Sequence, residues 1–242
     1  MEISNKEIFP GIWRFTETIN KDEGITVYYY LVAGSERALL IDTGLAQKDF
    51  SELLQGVTSL PCILVNTHTH PDHTGGNKNF EEIYAHPAAQ AAEEKLGLKL
   101  NPVTEGYVFD LGGRTVEVIE VPGHTKDSIC LLVPDLRILF VGDTLHEQRP
   151  LFMLDEFCDL DEYIRTMDKV IGISNRFDTI LPGHGTEMVS VQAAIDLKDL
   201  VEMSRKEETP YKIIEVKAFE PGAPNEQMRQ YTYKNVAINR DL

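Results

Sequence analysis

Four apolar runs in this 242-residue chain each end in residues that can bind a metal ion. CILVN runs into Thr67-His68-Thr69-His70-Pro71-Asp72-His73, VEVIEV into Pro122-Gly123-His124, RILFV into Gly142-Asp143, and DTILP into Gly183-His184. Imidazole nitrogen and carboxylate oxygen together suit zinc or another borderline first-row ion, whereas calcium or magnesium would call for oxygen ligands almost throughout. Five histidines and two aspartates exceed what one tetrahedral ion can use. Two ions about 3.5–4 Å apart, bridged by a carboxylate and a hydroxide, would use all seven and leave positions open for substrate. If the chain stays extended after CILVN, residues 68, 70 and 72 point to one side, and His73 turns toward a second position.

Such a site needs strands that finish at a common edge, and the patterning supplies them. EIFPGIWRF, ITVYYYLVAG and RALLIDTG are rich in β-branched and aromatic residues and predict an antiparallel meander. From about residue 46 helical patterns alternate with strands, including a helix from Ala88 to Leu96. Strands TVEVIEVPG, SICLLVP and RILFVGD precede a clear helix. Asp159 with Glu162 forms a capping-box pattern, and Tyr163, Ile164, Met167, Val170 and Ile171 share one face. A strand over DTILPG and a helix from Glu187 to Met203 repeat that order. The tail, residues 205–242, regains strand character at YKIIEVKAF and RQYTYKNVAI; it either completes the sheet or covers a partner subunit, which leaves a homodimer open.

The ordered set of motifs is similar to that of one family. THTHPDHTGG resembles the HxHxDH signature of the metallo-β-lactamase superfamily, and PGHT, VGDT and LPGHG resemble its later metal motifs, in the same order. By this resemblance His68, His70 and His124 would hold one ion, and Asp72, His73 and His184 a second, with Asp143 bridging. The resemblance covers roughly residues 7–190 and implies an α/β (α+β) fold, a four-layered αβ/βα sandwich of two mixed sheets flanked by helices; chain length predicts one domain over residues 1–242, with the tail belonging to it. His70 stands where related flavodiiron oxidoreductases have Glu, so the pattern is the hydrolase form.

The expected function is a dinuclear metal-dependent hydrolase of a small-molecule ester, thioester or lactone. Two divalent ions, zinc first and iron or manganese as alternatives, would provide a metal-bound hydroxide as nucleophile. Asp72 is the expected catalytic residue, orienting the hydroxide and passing its proton on. An iron persulfide dioxygenase is the alternative from another class, because such enzymes retain much of the motif set; a non-catalytic metal-binding module is a third reading. Glutathione thioesters are a weaker expectation, since glyoxalase-type thioesterases add a helical C-terminal domain where this tail is strand-like.

Composition narrows the partners. Hydrophobic residues make up 42% of the chain, enough for a substantial core, and 39 acids against 23 bases give a formal charge of −16, which opposes docking on nucleic acid. Cys62, Cys130 and Cys158 form neither an even disulfide set nor a CxxC pair, and no apolar span is long enough for a membrane. MEISNKEIFPG lacks the succession of a secretory signal, so the expected setting is cytoplasmic and a resistance-type β-lactamase is not expected.

Several residues read as bland. His86 is a strand-end histidine and Cys158 a free thiol; His146 either lines the pocket or orients a ligand from behind, or fills a loop, the reading preferred here, and stays outside the ligand set. The segment HEQRPLFMLDEF either forms a pocket wall, with Arg149 as an anion anchor beside Leu151, Phe152, Met153 and Phe157, or packs on the core. NKDEGITVYYY could supply a flap over the metals.

Overall fold

Strands buried on both faces form where apolar residues run without interruption, and this chain has several such runs. The computed structural model describes residues 2–20, 25–45, 50–90, 97–154, 158–206, 209–216 and 225–241. Its elements are, in order, β1 (Glu2–Phe9), β2 (Ile12–Asn20), β3 (Ile25–Ala33), β4 (Ala38–Ile41), helix α1 (Phe50–Gln55), β5 (Cys62–Val65), the single turn α2 (Pro71–Thr74), β6 (Glu82–Ala85) and β7 (Lys99–Pro102). They continue with β8 (Val108–Asp110), β9 (Thr115–Glu120), β10 (Ile129–Val133), β11 (Ile138–Gly142), β12 (Pro150–Met153), α3 (Leu160–Gly172), β13 (Thr179–Pro182), α4 (Val191–Arg205), β14 (Tyr211–Val216), β15 (Glu226–Tyr233) and β16 (Val236–Arg240).

Strands β1 to β7 pair in sequence order as one mixed sheet, antiparallel through β4 and parallel from β4 to β7. A second mixed sheet has the order β13-β11-β10-β9-β8, with β13 parallel to β11. Because successive side chains alternate in direction, each strand feeds two cores. Tyr28, Tyr30 and Val32 face Ile129, Leu131, Ile138 and Phe140 between the sheets, while Tyr29 and Leu31 pack with Phe50 of α1 on the outer side. On the far side of the second sheet, Cys130, Leu132, Leu139 and Val141 meet Tyr163, Met167 and Val170 of α3 and Leu197, Leu200 and Val201 of α4. Helix, sheet, sheet and helices make the four layers expected.

The structure adds a third sheet, order β12-β16-β15-β14, in which β12 runs parallel to β16. The tail thus builds its own sheet, and Tyr231, Val236 and Ile238 enter the same core as α3 and α4. Leu151 and Met153 of β12 are buried there too, so these two residues of HEQRPLFMLDEF pack on the core; residues 155–157 lie outside the described residues. EIFPGIWRF is two strands, because Pro10 and Gly11, with φ of +76° at the glycine, turn β1 back onto β2. Of the helix expected from Ala88 to Leu96, the structure describes the end of a turn at 87–89 and a helical Gln90, and residues 91–96 are outside the description. Likewise residues 21–24 of the proposed flap and 217–219 of YKIIEVKAF are outside it. The later helix starts at Val191, not Glu187, because Val189 bridges back to Ile180 in extended conformation.

Helix α3 matters most for the site. Asp159 caps it, accepting from the backbone N–H groups of Asp161 (2.9 Å) and Glu162 (3.0 Å). The reciprocal half of the capping box is absent from the described contacts. The Asp159 N–H donates instead to the Gly123 carbonyl (3.1 Å), and Glu162 pairs with Arg165 (2.6 Å). Thr166 Oγ1 donates to Pro122 O (2.5 Å) and Lys169 Nζ to Glu120 O (2.8 Å), so one face of α3 holds the segment that leads to His124. Gly123 permits the approach: its φ is +142°, and a Cβ there would lie 2.5 Å from the Tyr163 Cα. Asp159→Ala should lower stability by about 1 kcal/mol, the usual worth of an N-cap, measured by urea unfolding; an unchanged midpoint would show that the cap carries no weight.

Candidate metal centre

All seven donors predicted from the sequence converge where β5, β11 and β13 end. Their ligand atoms fall into two groups, each with donor atoms within 4.8 Å of one another: His68, His70, His124 and Asp143, and Asp72, His73 and His184. The chain does not stay extended through the first cluster. Pro71 opens α2, His73 N bonds back to His70 O (3.0 Å), and the helical turn groups the ligand atoms of Asp72 and His73 with that of His184, while the His73 ring stays against His68 with centroids 4.2 Å apart. Asp143 spans the gap, with Oδ1 3.2 Å from His73 Nε2 and Oδ2 3.5 Å from His184 Nε2.

Backbone acceptors fix which nitrogen of each ring faces inward. His124 Nδ1 lies 3.0 Å from the Phe152 carbonyl and His184 Nδ1 2.6 Å from the Thr26 carbonyl. A carbonyl only accepts, so Nδ1 carries the proton in both, and Nε2 presents its lone pair to the site. His73 Nδ1 is turned the same way by Asp42 Oδ2 at 2.8 Å, and His68 Nδ1 contacts Thr67 Oγ1 at 3.1 Å. The inward nitrogens then crowd: His70 Nδ1 is 3.1 Å from both His68 Nε2 and His124 Nε2. One proton on His70 cannot satisfy two neighbours that both offer lone pairs, while a cation among them satisfies all three. The separations are close to the edge of a tetrahedron with metal–nitrogen bonds of about 2.0–2.1 Å, which is about 3.3 Å. His73 Nε2 and Asp143 Oδ1 are buried with no aligned hydrogen-bond partner. The residues present therefore fit divalent metal binding.

Burial shapes the electrostatics of the metal-free centre. Burial, followed by the nearby His73 and His70, pushes the His68 pKa well below the usual imidazole range, and burial with His70 pushes His124 down to about 3. At His73 burial acts the same way, but Asp143 and Asp42 outweigh it and hold that pKa well above the usual value. Burial would raise Asp143, yet His184 and His73 keep it well below the carboxylate range. His70 and Asp72 are the donors with appreciable residual exposure, which marks their side as the open one.

Sequence reasoning missed Asp42. It ends β4, is 2% exposed, and sits at φ +65°. Its Oδ1 accepts from Thr67 N (2.7 Å) and its Oδ2 from Thr67 Oγ1 (2.7 Å) and His73 (2.8 Å), so one carboxylate orients His73 directly and His68 through Thr67. The signal was available, since ALLI-Asp42 is a fifth apolar run ending in an acid. His146, read as loop filler, is 3% exposed, with its ring centroid 6.2 Å from that of His184. His86 is apart from both groups: its Nδ1 accepts from Ala88 N (3.2 Å) and its Nε2 is 3.3 Å from Glu120. None of the three cysteines is in a disulfide, and Cys158 lies 3.3 Å from the Met153 sulfur.

A two-sheet sandwich with this paired donor set at one edge defines a metallo-hydrolase. Residues 23–200 match the metallo-beta-lactamase superfamily, and the chain belongs to it and is an enzyme of it. It is 28% identical over 223 residues to the acyl-coenzyme A thioesterase MBLAC2 of Gallus gallus, covering 75% of this chain and 80% of that one. An atrochrysone carboxyl ACP thioesterase of Aspergillus fumigatus is 29% identical over 176 residues, 69% of this chain and 53% of that one. In fold, a metallo-beta-lactamase from Pontibacter korlensis superposes with a TM-score of 0.73 at 23% identity, covering 83% of this chain and 99% of the other.

Two substitutions test the geometry. Asp42→Asn turns an amide toward His73 Nδ1 and favours the tautomer that removes the inward lone pair; metal affinity should fall 10- to 100-fold in a chelator competition, and wild-type affinity would refute the relay. A Cβ on Gly183 would lie 2.7 Å from both Asp143 Oδ1 and His73 Cε1, so Gly183→Ala should lower metal content after dialysis while the circular dichroism spectrum is kept.

Proposed function

We propose that this protein is a metal-dependent hydrolase of small-molecule acyl thioesters. The observation that carries the reading is the convergence of five imidazoles and two carboxylates into two donor groups joined by Asp143, with ring tautomers set by carbonyls and Asp42. His68, His70 and His124 would hold one divalent ion and Asp72, His73 and His184 the other, with Asp143 shared; zinc suits this donor set best. Such ions supply Lewis acidity toward the acyl carbonyl and acidify water enough for attack near neutral pH.

The chain's own groups then have separate tasks. Asp143 and His73 are held in the dry interior, so their orientation survives substrate exchange. Asp72, its side chain 30% exposed and its Oδ2 3.0 Å from His184 Nε2, is placed to take a proton from the attacking water and release it to solvent. A thiolate is a good enough leaving group to depart without a proton donor, so a thioester asks less of these residues than an ester would. The thioester choice draws on the relatives above, whose substrates, acyl-coenzyme A and acyl carrier protein, both carry the acyl group on the thiol of a pantetheine arm.

Protein purified without added metal should contain about two zinc ions per chain by elemental analysis and release free thiol from short acyl thioesters. Chelation should abolish that release and zinc should restore it. One iron per chain with oxygen consumption would overturn the reading in favour of an iron dioxygenase. Asp72→Ala should reduce kcat by about 10²-fold or more while the protein stays folded; turnover within a few-fold of wild type would remove Asp72 from the proton path.

A further inference from the structure

His184 stands on residues 183–188, a short excursion closed at its base where Val189 N donates back to Ile180 O (3.1 Å). β3 meets that loop with an open edge. Because β4 pairs with β3 only from Tyr30 to Ala33, the backbone groups nearer the start of β3 are left for other partners. Tyr28 N donates to Gly183 O (2.7 Å), and Thr26 O accepts from the His184 ring. Two tyrosine hydroxyls add to this, Tyr30 Oη donating to Pro182 O (2.7 Å) and Tyr28 Oη to Gly185 O (3.2 Å). The carbonyls of residues 182, 183 and 185 are thus all held from β3. The return of the loop is tied to β2. Arg14, 7% exposed, donates through Nη2 to Glu187 Oε1 (2.8 Å), and its guanidinium carbon lies 5.1 Å from the centre of the Tyr28 ring. Ion pairs between exposed residues contribute little, but here the cation is buried, and removing the acid would leave its desolvation uncompensated.

We infer that Arg14, Tyr28 and Glu187 are positioning residues for His184, and that their grip on the 183–188 loop governs how tightly the Asp72, His73 and His184 group retains its ion; this rests on the two-ion reading proposed above. None of the three belongs to either donor group. Their effect falls on one group because the remaining rings are oriented from elsewhere. His68 is set by Thr67, His73 by Asp42 and His124 by the Phe152 carbonyl. His184 takes both its backbone placement and its ring orientation from β3, and its Nε2 is 3.0 Å from Asp72 Oδ2. Loosening the grip therefore disturbs His184 and its contact with Asp72 while His68, His70 and His124 keep their supports.

The test is a zinc titration against a chelator, which reads both dissociation constants. His184→Ala, which deletes a donor outright, shows which constant belongs to the Asp72 group. In Glu187→Ala that affinity should fall about tenfold, as when a partner that orients a metal-binding histidine is lost, while the other stays within about twofold of wild type. Glu187→Gln, which keeps an accepting oxygen, should recover part of the loss. Tyr28→Phe keeps the ring beneath Arg14 and removes only the hydroxyl, so it should weaken the same constant by about threefold. A merely structural role would lower the urea midpoint without separating the two constants. Unchanged affinities in Glu187→Ala, or an equal fall in both, overturn the inference. If wild type binds a single ion, the two-ion reading fails by itself, and the zinc-free protein decides the grip. There the His184 ring N–H, held by the Thr26 carbonyl, should give a slowly exchanging proton signal in nuclear magnetic resonance. Faster exchange in Glu187→Ala would uphold the grip, and an unchanged rate would remove it too.

Discussion

Burying a carboxylate is unfavourable unless several donors surround it, and Asp42 meets that condition with the Thr67 N–H, the Thr67 hydroxyl and His73. Its donors come from the end of β5 and from α2, so satisfying this one charge draws three separate chain segments to a common point. The rest follows from that anchor. Once β4, β5 and α2 meet at Asp42, the THTHPDH segment has one path, and the lone pairs of His68 and His73 are turned inward. Beneath α2 a second polar cluster completes the arrangement: the His73 carbonyl accepts from Thr43 N (2.8 Å), and Asn77 Nδ2 donates to Asn66 Oδ1 (2.8 Å).

The two outer donors are fixed differently. His124 and His184 rely on carbonyls of β12 and β3, which belong to the third sheet and the first. A centre whose rings are oriented from both ends of the fold needs the sandwich intact, because the relative placement of Phe152 and Thr26 comes from packing of whole layers. This explains why the cores on either side of β10 and β11 are so completely closed, with every residue of both strands buried. Rigid layers substitute for local contacts that short loops could not provide.

Much of this was legible in the sequence. The rule that apolar runs ending in His or Asp share a sheet edge picked out all seven residues that the structure brings into the two groups, since strand direction and burial leave their mark on residue type. Asp42 escaped because RALLIDTG was taken as a plain strand, although the rule applied to it. Phe152 and Thr26 act through their backbones, and a carbonyl has no sequence signature. The turn of α2 was misjudged since periodicity cannot show one helical turn within six residues, even with Pro71 marking its start. The third sheet was hidden because β12 and β16 are far apart in the chain, and a parallel pairing between short strands leaves no local pattern.

The pairing of β12 with β16 also sets an order of assembly. Phe152, which orients His124, lies in a strand whose parallel neighbour spans residues 236–240. During synthesis the signature histidines leave the ribosome long before that neighbour does, so the two large sheets can form around an incomplete centre. The Phe152 carbonyl is secured only when that strand docks. Orientation of the His124 ring is therefore coupled to a pairing between distant parts of the chain.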